Sequence, residues 1–216
     1  MRSFRVALNG WTASFRHPQL VTGMQPTLPV PPPSTIYGLV AAAAGRWVDP
    51  TDCQLAYVFQ AEGEARDLET IYQFSNSASA GSNVVLREWL TDWRLWLYFT
   101  DRSWAESFEE PEFPLVLGRQ QELAHVRPGI DGTIVKEVEL AQAPTILQGT
   151  AVPFPFWGAA GVVMALPLVM SPDLPRRAMG VRPWLLVREA GRTDAPELLH
   201  DEELGQGVYF IGGRGP

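Results

Sequence analysis

The chain of 216 residues contains 19 glycines and 19 prolines that follow no repeat, and they limit the length of every helix and strand. Proline removes a backbone donor and both residues are poor helix formers, so a coiled coil is excluded, and the missing repeat excludes collagen. Apolar residues make up 46% of the chain and charged residues 19%, which excludes a disordered protein. The length predicts one domain, or one domain with an appended lobe.

Cysteine and histidine are too sparse to build a disulfide or zinc framework. Cys53 is the only cysteine, and His17, His125 and His200 lie far apart in the sequence. We expect no metal and no cofactor, and we interpret Cys53 as a small packing residue. The first ten residues do not build the apolar core of a signal peptide, so the sequence predicts a cytoplasmic protein.

The segment Leu140–Pro172 carries no charge and precedes Arg176 and Arg177, as a membrane span with a basic anchor would. Gln142, Gln148, five prolines and three glycines interrupt it. We favour buried strands joined by turns, and a membrane element stays the weaker alternative.

Apolar periodicity predicts a strand followed by a helix in the first 50 residues. Phe4, Val6 and Leu8 alternate with residues of the other face, as in a half-buried strand. After an irregular proline-rich connection, Ser34 is a natural N-cap, and apolar residues follow at helical spacing until Gly45.

Three further strands and a short helix are predicted downstream. The strands are Thr70–Phe74, Val84–Phe99 with a bend near Thr91–Asp92, and Thr133–Leu140, and Ser103 with Glu106 forms a capping box. The order strand, helix, strand, strand, helix, strand is that of a split βαβ, ferredoxin-like sheet in the α+β class. We predict this fold for residues 1–140 and a β-rich C-terminal extension on the same core for residues 141–216.

The charge distribution favours local rather than general binding of polyanions. The net charge is −7, yet residues 1–48 contain four arginines and no acid, and residues 70–87 contain no acid either. Arginine provides all basic residues except Lys136, and its planar fork suits phosphates and base edges. A compositional bias toward arginine is the simpler explanation.

The predicted helix start at Ser34 is a candidate phosphate site. Backbone N–H groups are unpaired at a helix start, and Ser34, Thr35 and Tyr37 add hydroxyl donors. The alternative is that Ser34 only caps the helix and Tyr37 only packs. The lysine and glycine spacing of a P-loop is absent.

The sequence contains no common hydrolase, metalloprotease or dinucleotide-binding motif. A histidine, His17 or His125, working with Tyr37 would nevertheless be compatible with metal-independent cleavage of RNA. Aromatic residues in irregular segments are candidates for contacts to a partner or to bases: Trp11, Phe15, Phe154, Phe156 and Trp157.

Four runs occur in order within residues 1–140: GWTASFRHPQ, TLPVPPPSTIYGLVAAAAG, LREWLTDWRLWLYF and PLVLGRQQELAHV. Together they resemble Cas protein family five of CRISPR systems, RRM-like and ferredoxin-like RNA-binding proteins of the RAMP superfamily in type I Cascade complexes. The proline-Ser-Thr helix start and the later LGR-x-x-E segment are specific only in combination.

The resemblance implies a non-catalytic, RNA-binding subunit that holds the 5′ handle of the guide RNA in antiviral defence. Its implied partners are the large subunit, the family-seven backbone subunit, the family-six nuclease and target DNA near the complex. A thumb-like hairpin is implied near Ser75–Asn83. The implied RNA contacts are Arg16, Ser34, Thr35, Tyr37, Arg87 and Arg119.

One branch of this family cuts precursor RNA with a tyrosine, a lysine and a histidine that lie close together. Tyr37 matches the tyrosine, but Lys136 is eleven residues from His125 and no Lys-His pair exists. We therefore predict no catalytic residues, with a metal-independent endoribonuclease as the alternative.

Overall fold

A computed structural model describes residues 1–18, 24–73 and 81–213 of the chain, without the side chains of residues 71 and 73. The strands are β1 (Arg2–Ala13), β2 (Met24–Gln25), β3 (Leu55–Gln73), β4 (Gly81–Phe99), β5 (His125–Val126), β6 (Lys136–Ala141), β7 (Thr145–Leu147), β8 (Thr150–Pro153), β9 (Val162–Leu166), β10 (Val169–Met170), β11 (Ala178–Met179), β12 (Arg182–Val187), β13 (Gly191–Thr193), β14 (Leu199–Asp201) and β15 (Gln206–Val208), and the helices are α1 (Pro33–Ala44) and α2 (Arg102–Glu106). Strand accounts for 47% and helix for 9%, so the predicted α+β class is confirmed.

The main sheet has its long strands in the order β6-β1-β4-β3, and each neighbouring pair is antiparallel. One face of this sheet is covered by α1. Val6 of β1, Leu95 of β4 and Val40 of α1 are buried in the same apolar cluster. The alternation that predicted β1 therefore places its even-numbered apolar residues in the core.

The helix predicted from Ser34 is confirmed, but its cap is not Ser34. Pro32 is the N-cap, no side chain caps the helix, and Pro33 occupies the first helical position. Proline fits there because its missing N–H would have no partner inside the helix. Gly45 ends the helix in the left-handed conformation (φ 67°), as the sequence predicted. In α2, Asp101 rather than Ser103 is the N-cap, and its carboxylate accepts a hydrogen bond from the Ser103 N–H at 2.9 Å.

The hairpin of β3 and β4 is much longer than predicted. The two strands keep one register from the Leu55–Phe99 pair at one end to the Gln73–Gly81 pair at the other. The pairing of β1 with β4 ends at Leu90, so residues 65–73 and 81–89 continue beyond β1 as an arm of two long strands, to which the short β2 adds a parallel pairing at Leu86 and Arg87. Of the predicted thumb-like loop at 75–83, residues 75–80 lie outside the described residues, and residues 81–83 belong to β4.

The predicted bend in β4 is confirmed at Asp92, the one non-glycine described residue with a positive φ (49°). In the pairing of β4 with β1 and in its pairing with β3, Trp93 is followed directly by Thr91, so both leave Asp92 out. Aspartate tolerates this conformation better than most residues, because its short side chain can bond locally.

Strands of the C-terminal third pack on the same core as β1 and α1. Strand β12 lies between β8 and β9, and Trp184 and Leu186 of β12 join the apolar cluster of the main sheet. The uncharged segment from residue 140 to 172 is divided among short strands, as favoured above. Neither described helix is long and apolar enough to cross a membrane. The domain division at residue 140 stays a prediction.

A buried ion pair links β14, which pairs with β6 in the main sheet, to β1. The Arg5 guanidinium, 6% exposed, lies 2.5 Å from the carboxylate of Asp201, which also accepts a hydrogen bond from the Tyr98 hydroxyl at 2.8 Å. Burial works to raise the pKa of Asp201, but the Tyr98 hydrogen bond and the Arg5 charge hold that pKa below its ordinary value. An ionised carboxylate therefore adds to the attachment that the pairing of β14 with β6 already provides.

We predict that Asp201→Asn lowers the free energy of unfolding by roughly 3 kcal/mol, because it leaves the buried Arg5 without its closest counter-charge. Since the pKa of Asp201 is lowered by folding, the pair stabilises the wild type above about pH 4 and is lost as the pH falls further. Urea unfolding between pH 7 and pH 3 measures both effects. The exposed Glu202→Gln is the control, and equal acid sensitivity of Asp201→Asn and wild type would contradict the prediction.

Candidate nucleic-acid interface

The buried carboxylate of Glu122 organises the loop that contains the LGRQQE run. Glu122 is 1% exposed and accepts hydrogen bonds from the Ser14 N–H at 3.0 Å and the Ser14 hydroxyl at 2.8 Å. It also accepts from the Arg119 N–H at 2.6 Å and the Arg119 Nε at 3.2 Å. This carboxylate therefore fixes Arg119 against the end of β1.

Gly118 permits this geometry. Its φ is 119°, a conformation that side chains rarely adopt, and a Cβ there would lie 2.1 Å from the Glu122 carboxylate. The spacing of glycine, arginine and glutamate in this segment thus has a local physical reason: the glycine lets the glutamate approach the arginine backbone.

A second carboxylate, Glu69 of β3, joins this loop to the arm. It lies 2.5 Å from Arg87 Nε and 2.7 Å from an Arg119 terminal nitrogen. Partial burial works to raise the pKa of Glu69, but the Arg87 hydrogen bond and the Arg119 charge lower it overall. The Arg119 guanidinium also lies 5.5 Å from the centre of the Trp89 ring.

We call Ser14, Glu69, Arg87, Arg119 and Glu122 the carboxylate brace. It brings together two of the predicted RNA contacts, Arg87 and Arg119, whose side chains are only 12% and 22% exposed. Two arginines face two glutamates, so the brace has no net charge. A phosphate at either arginine has to compete with Glu69.

Arg16 differs from the two arginines of the brace because it is exposed. Its backbone forms an isolated bridge with Thr27, and among the described residues its guanidinium has no ion pair. It lies two residues after Ser14, so the brace positions the start of this segment. Arg16 is the predicted contact that is most accessible to a phosphate.

The start of α1 presents two of its three predicted contacts. Ser34 and Thr35 are half-buried, and the Thr35 N–H already donates to the Pro32 carbonyl. Tyr37 is 1% exposed, and its hydroxyl lies 3.0 Å from the Cys53 carbonyl oxygen and 3.3 Å from that of Ile211. The assignment of Tyr37 as an RNA contact is therefore wrong; it is a packing residue, as the alternative held.

Lys136 and His125 are not brought together, and Tyr37 is buried. Burial raises the pKa of the Tyr37 hydroxyl, and Cys53 is buried with its thiol pKa raised to about 12. His125 pairs with Asn9 of β1 and Lys136 with Arg5, four positions or about 13 Å apart along the strand. Lys136 also forms an ion pair with Glu203 at 2.7 Å.

The aromatic candidates divide by exposure. Trp11 is 82% exposed, Trp157 84% and Phe154 47%, while Phe156 is half-buried. Phe15 is only 2% exposed and contacts the Phe59 ring edge to face, so its assignment as a contact residue is wrong.

Comparison with known proteins supports one family. The family described as CRISPR-associated protein (Cas_Cas5) matches residues 4–72, which span β1, α1 and most of β3. The resemblance to Cas protein family five is confirmed. No curated protein matches the chain.

Two solved structures with similar folds also come from CRISPR systems. A chain of a structure titled "CRISPR RNA-guided surveillance complex" is 20% identical, with a TM-score of 0.53 over 89% of this chain and 91% of that one. A CRISPR protein from Archaeoglobus fulgidus is 13% identical, with a TM-score of 0.49 over the whole of both chains. The first of these likenesses supports the fold alone.

Sequence reasoning missed Ser14 and Glu69 and gave Glu122 no role beyond its place in the LGR-x-x-E segment. Glu122 had a usable signal, since an acid three residues after an arginine in a glycine turn can bond back to it. Glu69 had none, because it lies 50 residues from Arg119 in the sequence.

We predict that Glu122→Gln destabilises the protein by about 1–3 kcal/mol, because the amide cannot accept from all the buried donors that face the carboxylate. Chemical unfolding measures the change. Glu110→Gln, at an exposed position, is the matched control and should stay within about 0.5 kcal/mol of wild type. Equal stability of the two variants would show that the carboxylate does not hold the loop.

Proposed function

We propose that this chain is a non-catalytic RNA-binding subunit of a type I CRISPR Cascade complex and holds the 5′ handle of the guide RNA. The match to the family over residues 4–72 and the fold shared with a surveillance-complex chain support this. The strand order β6-β1-β4-β3, with α1 between β1 and β3, supports a ferredoxin-like fold of the RAMP kind.

The observation that carries the proposal is the arm. Its two long strands leave β1 behind and gain only the two-residue β2, at Leu86 and Arg87, so the arm has little core of its own. Leu68 is 66% exposed, Tyr72 63% and Val84 54%, so the arm exposes apolar side chains that a bound ligand or subunit would cover. The brace fixes the arm beside Arg16, where an extended RNA would pass.

The proposed phosphate contacts are Arg16 and the start of α1 at Ser34 and Thr35. Arg16 supplies a free charge, and the half-buried hydroxyls supply donors near a helix start. Arg87 and Arg119 act mainly by positioning the arm, because Glu69 occupies both guanidinium groups.

The proposed assembly is cytoplasmic and contains the large subunit, the family-seven backbone subunit and the family-six nuclease, with target DNA nearby. Exposed apolar residues of the C-terminal third, among them Trp157 and Leu174 (84% and 86% exposed), provide surface for such protein contacts.

We predict that Arg16→Ala weakens binding of handle RNA and reduces the salt slope of log K by about 0.7 for each lost phosphate contact. Arg192→Ala, an exposed arginine of β13, is the control. Titration of labelled handle RNA at several salt concentrations measures both quantities. Unchanged affinity and salt slope for a folded Arg16→Ala protein would place the handle elsewhere.

We also predict that the purified protein leaves repeat RNA intact in EDTA, because Tyr37 is buried and His125 and Lys136 lie apart. A denaturing gel of repeat RNA after incubation with the protein tests this. Discrete cleavage that His125→Ala abolishes would support the endoribonuclease instead.

A further inference from the structure

The second face of the main sheet is only partly covered. Strand alternation places Arg5, Ala7, Asn9 and Trp11 of β1 on the face opposite the α1 core. The C-terminal segment covers one end of this face, where Tyr98 is buried with its neighbours. The end that contains Asn9 and Trp11 stays open.

Aromatic and basic side chains alternate along this open end. Trp96 of β4 pairs with Ala7, and Arg94 pairs with Asn9. Trp11 lies one side-chain step further along the same face. Successive side chains on one face are about 6.6 Å apart, so Trp96, Arg94 and Trp11 lie at three successive positions that span about 13 Å.

A cavity of about 620 Å³ opens beside Trp96, between the sheet and the loop that follows β5. Its lining includes Arg94, Trp96 and Arg127. The backbone N–H of Arg127 donates to the Ala7 carbonyl at 2.8 Å, which fixes the start of this loop to β1.

The charges on this surface are unequally neutralised. Lys136, which also lines the cavity, forms an ion pair with Glu203. The exposed Arg94 has a single long contact, 3.7 Å, to Glu62. Arg127 is exposed and has no ion pair within the described part of the chain. One further carboxylate, Asp131, lines the cavity and accepts hydrogen bonds from the Thr133 N–H and hydroxyl. The least neutralised positive charges are therefore those of Arg94 and Arg127.

We propose that this surface, formed by Trp11, Arg94, Trp96 and Arg127, binds single-stranded nucleic acid by stacking bases on the two indole rings. Arg94 and Arg127 would contact the phosphates. The two rings are too far apart to share one base, so they contact separate nucleotides of an extended strand. The surface is distinct from the handle contacts at Arg16 and α1, and the inference does not rest on the proposed function.

Charge favours a nucleic acid over a protein as the occupant. A chain with a net charge of −7 repels polyanions unless arginines are locally free, and this surface provides two, beside the exposed ring of Trp11 and the half-buried ring of Trp96.

The test measures binding of labelled oligouridine and oligothymidine, which lack any handle sequence, to the full chain. We expect Trp11→Ala to weaken binding about 5- to 150-fold. Arg94→Ala and Arg127→Ala should each reduce the salt slope by about 0.7. Trp11 is 82% exposed, so its replacement should leave folding intact, and Trp157→Ala, 84% exposed, is the matched control.

The two oligonucleotides distinguish an RNA site from a site for displaced DNA. Equal affinity of Trp11→Ala, Arg94→Ala and Trp157→Ala would overturn the proposal, as would a wild type that binds neither oligonucleotide. Loss of a protein partner in Trp11→Ala with unchanged oligonucleotide affinity would overturn it as well and assign the surface to a subunit contact. The handle site is tested separately, with Arg16→Ala and handle RNA. Failure of the present proposal would therefore leave the effect of Arg16→Ala on handle binding unchanged, and failure of the handle site would leave the effect of Trp11→Ala on oligonucleotide binding unchanged.

Discussion

The left-handed backbone at Asp92 divides β4 into two parts with different surroundings, and the rest of the molecule is arranged about that division. From Trp93 to Phe99 the strand lies between β1 and β3, and its core face is buried under α1. Beyond Leu90 the strand loses β1, pairs briefly with β2 at Leu86 and Arg87, and continues with β3 as the arm. The pairing with β1 passes Asp92 in the same register and ends two residues later, at Leu90. The bend therefore lies at the boundary between the body of the protein and the arm.

Six arginines of this chain fall into two groups that differ in exposure and in ion pairing. Arg5, Arg87 and Arg119 are largely buried and tie distant segments together through Asp201, Glu69 and Glu122. Arg16, Arg94 and Arg127 are exposed with weak ion pairing or none within the described residues. Net charge thus says little about where this protein can hold a polyanion. What matters is which guanidinium groups are left without a carboxylate.

The elements that could be predicted from the sequence are those in which buried apolar residues recur at a single regular spacing. Strand β1, helix α1 and the core half of β4 each have apolar residues at regular spacing. The bend at Asp92 could also be predicted, because the polar pair Thr91–Asp92 interrupts the apolar pattern of β4. Most of β3 was missed because charged residues dominate from Glu62 to Glu69, as expected of an arm with two exposed faces. Two features could not be predicted: that the Tyr37 side chain is buried, and that Glu69 contacts Arg119. Both depend on chain segments that are far away in the sequence.

Bracing the arm and binding a phosphate are competing uses of the same arginines. A phosphate that approaches Arg119 meets a guanidinium that already contacts Glu69 and Glu122, so it gains only the difference between its own attraction and theirs. Displacing Glu69 would also release Arg87 and loosen the arm from the loop. Arg16 has no such cost, because its charge is not held by a carboxylate in the described structure. An RNA that passes the brace therefore gains more from Arg16 than from the two arginines that hold the arm in place.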